Sequence, residues 1–137
     1  MFRLVIATSI SALLMFSLAG LYPGVLARSF IAEHVEAGLL RTPPNLAVVF
    51  LGYIFLAGIM SALYRRLGPF SSTRIWSGLK FGLVVAVLWV MPYSIVLFGV
   101  YRFPYAALPL DFAWALIEQG VGGVVIALVY GWRRGNA

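Results

Sequence analysis

Residues 75–100 read IWSGLKFGLVVAVLWVMPYSIVLFGV, and Lys80 is the one charged side chain in the run. About 20 apolar residues in a helix cross the hydrocarbon core of a bilayer, so this stretch is long enough to span. A helix closes its backbone hydrogen bonds within itself, as lipid demands. A membrane β-strand would alternate polar and apolar residues, and this run does not. Three further stretches have the same character, at about 4–26, 46–64 and 112–132, and charge, proline or both bound each one.

The composition leads the same way. Hydrophobic residues make up 63% of the 137-residue chain and charged residues 10%, against about 25% charged in a soluble domain. Too few polar side chains exist to cover a water-facing surface. The sequence therefore predicts an all-α membrane protein: a four-transmembrane-helix bundle forming a single integral membrane domain over 1–137. The first span, with Arg3 ahead of an apolar run and Ser17-Leu18-Ala19 behind it, has the outline of a secretory leader; with Met1 retained, it is expected to stay as a membrane helix.

The formal charge of +6 is spread over short flanks beside the apolar runs and forms no continuous basic stripe. That pattern fits topology signals and anionic headgroups, with the lipid bilayer as partner and no nucleic acid. With the N-terminus inside, Arg3, Arg65, Arg66, Arg74, Lys80, Arg133 and Arg134 fall on the inner side, and Arg28, Arg41 and Arg102 on the outer. Seven against three predicts an N-in, C-in protein, multi-pass in a bacterial cytoplasmic membrane with both termini cytoplasmic. Tyr64, Trp76 and Trp132 gather at the inner edge, and Tyr22, Tyr101, Trp114 and Tyr105 near the outer one.

In the first outer loop, Arg28 to Leu40, Ser29, Glu33 and Glu36 share one helical face, and Phe30, Ile31, Val35 and Leu39 the other. This predicts a short amphipathic segment on the membrane surface or across the bundle's end.

Small residues mark where helices approach closely in lipid. Gly78, Gly82 and Ala86 form one four-residue stripe; Ala115, Gln119, Gly123, Ala127 and Gly131 form another; and Gly58 with Ala62 and Ala57 with Ser61 supply shorter ones. Such stripes serve internal packing or contacts between copies. Pro92 removes a backbone donor and is expected to kink the third span, a candidate hinge. Pro23-Gly24 should bend or end the first. Asn45 and Asp111, each following proline, stand where helix N-caps are wanted. The two inward-running spans end alike, Ala62-Leu63-Tyr64 before Arg65-Arg66 and Ala127-Leu128-Val129-Tyr130 before Arg133-Arg134. This fits a tandem pair of hairpins, but more simply the general habit of such helices to end in aromatic and basic residues.

Glu118 is the side chain most able to carry chemistry. From an expected helix start at Phe112 it would lie about 9 Å into the membrane, where a carboxyl faces a bundle interior or a watery cavity. It would serve as a proton- or cation-coupling group, or else as a hydrogen-bonded structural acid. Gly122, one turn on, would leave space beside it for water, a ligand or a helix. Gln119 is expected to make an interhelical hydrogen bond. Lys80, near the opposite face, should snorkel to the headgroups rather than reach Glu118.

With no cysteine, thiolate, iron–sulfur and Cys-zinc chemistry are excluded. His34 is the single histidine, and Glu33 and Glu36 point away from it on a helical wheel, so no metal site and no cofactor are predicted. Phosphate loops, HExxH and nucleophile elbows are missing, and an enzyme is not expected. Three functions follow. The first is a non-catalytic protein acting through helix packing, as an oligomer or accessory subunit of a membrane assembly. The second is a small proton- or cation-coupled transporter or channel using Glu118, and the third a protein binding lipid or a hydrophobic ligand.

Overall fold

The computed structural model describes residues 1–26, 28–34 and 43–131. Glu36, Leu39, Arg41, Trp132 and the Arg133-Arg134 pair lie outside the described residues, and so does the second half of the expected amphipathic segment. Among the described residues every regular element is helical. Four of the helices are long and apolar enough to cross a membrane: Phe2–Leu26, Leu46–Leu67, Arg74–Val100 and Tyr105–Gly131.

The first span is α1 (Phe2–Leu21), which widens into a π-helical turn at Tyr22–Leu26. Pro23 therefore loosens this helix without ending it. A short helix, α2 (Arg28–His34), follows, with Ser29 and Glu33 exposed and Phe30 and Ile31 half-buried. The second span is α3 (Leu46–Leu67). Asn45 caps it as expected, its Oδ1 accepting from Val48 N at 3.2 Å. Asn45→Ala should cost about 1 kcal/mol, read as a lower unfolding midpoint of the detergent-solubilised protein.

The third span is α4 (Arg74–Val85), a π-helical turn (Ala86–Val90) and α5 (Met91–Val100). Pro92 sits two residues after the end of that turn. Having no N–H for the carbonyl four residues back, it leaves the ladder to reform with a wider step, in which Met91 N donates to Ala86 O. The expected kink is thus a local widening within a continuous span.

The fourth span opens with a single 3₁₀ turn, Tyr105–Ala107, and continues as α6 (Leu108–Gly131). This corrects the expectation for Asp111, which lies inside the first helical turn and is no N-cap. Pro109 explains the shift, because proline is well tolerated at the start of a helix.

The two hairpins each pack internally, α1 on α3 and α4 on α6, and α1 against α6 joins them. The fourth span is the hub, with 44% of its apolar window enclosed against 22, 17 and 11% for the first, second and third. Its bond to α4 is made backbone to backbone. A Cβ at Gly78 would stand 2.6 Å from Val124 Cα and 2.8 Å from Ala127 Cβ, and Gly82 and Gly123 are pressed as closely against the facing chain. Buried Ala86 continues the same face. From α1 and α3 the buried core takes small residues as well, Ala7, Ala12 and Ala57, together with Met15 and Met60. Above them Phe16 meets Phe50 edge-on at 5.2 Å.

At the end holding Arg3, Arg65 and Arg74, an aromatic cluster of Tyr64, Phe70, Phe81 and Tyr130 closes the core. Ser77 organises it: Oγ accepts from Phe70 N at 2.7 Å and lies 2.7 Å from Tyr64 Oη.

Candidate functional site

Glu118 is buried on α6, 7% exposed. Because α6 begins at Leu108 rather than Phe112, Glu118 lies about 15 Å along the helix from its start. Gln119 Nε2 donates to Glu118 Oε1 at 3.0 Å, and the Tyr53 hydroxyl of α3 hydrogen-bonds the same carboxyl. Two donors from two helices thus converge on one acid. Tyr53 also packs edge-on to Phe16 of α1, at 6.2 Å, so its ring is held while its hydroxyl reaches the carboxyl.

One expectation is corrected here. Gln119 bonds its neighbour on α6 rather than a facing helix, and its Oε1 is buried without a partner. What crosses to α4 is its backbone, pressed against Gly82. The room expected beside Gly122 is taken by a neighbouring helix, one of the three occupants the sequence allowed: a Cβ there would stand 2.5 Å from Met15 Sδ of α1, and Ser11 Oγ donates to Gly122 O at 3.3 Å. Gly122 is a docking point for α1. Its missing side chain lets a thioether and a hydroxyl approach the α6 backbone.

Towards the loop end, Asp111 and Trp114 precede Glu118 on the same face of α6, at spacings of seven and four residues. Trp114 stacks on Tyr22 at 5.3 Å, and its Nε1 is buried without a partner. Lys80 remains exposed on α4, six residues from that helix's start. Pro92, beside the π-turn, is exposed, and nearby Ser94 is buried. Among the described residues no group of three or more His, Asp or Glu side chains could hold a metal ion.

Tyr53, Ser11 and Met15 are the participants that sequence reading missed. A tyrosine mid-span carries a signal, since a buried phenol seeks a partner for its hydroxyl. Tyr53 stands about 10 Å into α3 from the end at which α6 also begins, so the two depths were comparable. Nothing in the sequence marks Met15 or Ser11 apart from other residues of an apolar span.

Comparison with known protein families, with characterised proteins and with solved structures finds no match for this chain. The site must be read from its own chemistry. A carboxyl with one phenol and one amide donor, enclosed by helices, can fasten those helices together. The same carboxyl could exchange a proton or hold a cation if a path reached it.

Proposed function

We propose that this protein is a non-catalytic polytopic membrane protein that acts through helix contacts, as an oligomer or as an accessory subunit of a membrane assembly. The observation carrying this reading is the state of Glu118. Its hydrogen bonds are made to Tyr53 and Gln119 within the bundle, and the two cavities at the arginine end are lined elsewhere. The one intramembrane acid is thereby engaged in holding α3 to α6, where a membrane-buried polar contact contributes on the order of 1 kcal/mol. The small-residue stripes of α4 and α6 are used against each other, so contacts with other chains fall to the outward faces. The third span offers the widest of these, with Leu88, Trp89, Tyr93 and Val96 all more than half exposed. By the charge rule, the end bearing Arg3, Arg65, Arg66 and Arg74 is cytoplasmic, in a bacterial cytoplasmic membrane.

The second reading is a small proton- or cation-coupled transporter. It is favoured by the unpartnered Gln119 Oε1 and Trp114 Nε1, two buried polar atoms close along α6 to Glu118. Cross-linking in the native membrane, followed by mass measurement in detergent-free discs, separates the two. Particles heavier than one 15.0 kDa chain, with no ion flux in liposomes, are expected. A monomer throughout would sink the contact reading. Flux abolished by Glu118→Gln would establish the transporter.

A further inference from the structure

The arginine end of the bundle holds a second constellation, unrelated to Glu118. A polar pocket of about 340 Å³ is lined by Arg3 of α1, Arg65 of α3 and Arg74 of α4, with Ser71 and Ser72 of the connecting turn and Tyr130 of α6. Each of three spans thus delivers one guanidinium to the same space. Of the acids among the described residues, Glu33, Asp111 and Glu118, none lines it. Arg3 spends one N–H on Tyr130 O at 3.2 Å, which caps the end of α6; its remaining donors, and those of Arg65 and Arg74, have no carboxylate partner among the described residues.

The Tyr130 hydroxyl is buried without a hydrogen-bond partner and lies within electrostatic reach of Arg65. The pocket also takes in the first turn of α4 through Arg74 and Ser77, and the cap residue Thr73 makes no side-chain cap bond there. The lining is rich in donors, and its charge is wholly positive. Guanidinium forks of this kind match phosphate oxygens in geometry and in charge.

A second space adjoins the first. A groove of about 750 Å³ shares Arg3, Arg65 and Tyr130 with the polar pocket and continues over Phe2, Leu4, Ile6, Ile10 and Val129. Apolar side chains there lead directly away from the cations. A free phosphate would use only the pocket, and an acidic peptide would leave its backbone against an apolar wall. A molecule with a phosphate at one end and hydrocarbon at the other satisfies both spaces.

We infer that this end of the bundle is a binding site for one anionic phospholipid, its phosphate held among Arg3, Arg65, Arg74 and the Tyr130 hydroxyl and one acyl chain lying in the groove along α1. The site differs from general attraction of basic flanks to a charged surface. It predicts that position decides the effect: Arg65 and Arg74 line the pocket, while Arg66, next in sequence and equally charged, does not.

The inference rests on the bundle being a membrane protein, which flotation with neutral phosphatidylcholine vesicles checks separately. The test itself uses the full chain in neutral detergent, by native mass spectrometry and thermal melting. Phosphatidylglycerol, phosphatidylcholine and inorganic phosphate are added in turn. Phosphatidylglycerol should stay bound under activation that strips phosphatidylcholine, and should raise the melting midpoint. Inorganic phosphate at the same concentration should do neither. Removing Arg65 and Arg74 together (Arg65→Gln with Arg74→Gln) should weaken phosphatidylglycerol roughly tenfold per guanidinium, and Arg66→Gln should leave it unchanged. Should the double variant misfold, Tyr130→Phe keeps the ring and removes only the hydroxyl, and should still lower the affinity several-fold. Equal retention of the two lipids, or equal loss in Arg66→Gln, overturns the site. A phosphate effect matching that of phosphatidylglycerol overturns the lipid as its occupant.

Discussion

Gly82→Leu should prevent the bundle from forming, whereas Gly52→Ala should be tolerated. At Gly82 even a Cβ would press into the carbonyl of Gln119 and stand 2.7 Å from its carbon and 2.8 Å from Gly120 Cα. The atoms in the way are backbone on both sides, in mid-helix, and cannot turn aside as a side chain can. Accommodating leucine would need α4 to lift off α6, which loses the most extensive contact in the molecule. Overpacking a well-filled core costs roughly 1–3 kcal/mol, and this site belongs at or beyond the upper end. Gly52, on α3, has nothing within 4 Å of where its Cβ would be. Gly122→Ala should fall between the two, because the atom it meets is Met15 Sδ at 2.5 Å, the far end of a flexible chain. Unfolding in mixed micelles orders the three variants. Equal midpoints for Gly82→Leu and Gly52→Ala would show that α4 and α6 do not pack through this stripe.

Replacing Glu118 should separate hydrogen bonding from charge. Glu118→Leu leaves the Tyr53 hydroxyl and the Gln119 amide buried without the acceptor they share. An orphaned buried donor costs roughly 1–3 kcal/mol, so the loss should approach that of a core cavity. Glu118→Gln keeps a carbonyl oxygen to accept from Tyr53, and should cost under about 1 kcal/mol. Tyr53→Phe combined with Glu118→Leu should be less damaging than the two changes added, since the second removes an already orphaned group. If Glu118→Gln were as harmful as Glu118→Leu, the ionisable group itself would be needed. The fastening role proposed above would then give way to the transporter.

Part of the site was legible beforehand. An acid in mid-span stands out because charge at bilayer depth is rare, and Glu118 was found on that ground alone. Its distance from the helix start was underestimated, because Pro109 allows α6 to start four residues before Phe112. Its pairing with Tyr53 was only hinted at, by a phenol at comparable depth. Tyr53 is far away in sequence, and which face of α3 turns to α6 is not written in a span that is apolar all round. The role given to Gln119 failed for a related reason, since an amide can bond sideways to its own neighbour and sequence spacing does not choose.

Four spans, their rough limits, the cap at Asn45 and the gathering of arginines in the flanks were determined by the sequence itself. Each is a property of the chain in one dimension, a run length set against bilayer thickness or a side chain set against its own backbone. Only the tertiary structure decided that Gly82 meets the backbone of Gln119, that Met15 fills the place beside Gly122, that Tyr53 reaches Glu118, and that Arg3, Arg65 and Arg74 share one pocket. In a soluble protein the polar face of a helix reveals which side is buried. In a bilayer, lipid and protein interior are both apolar, so the hydrophobic pattern falls silent and close packing chooses the neighbours.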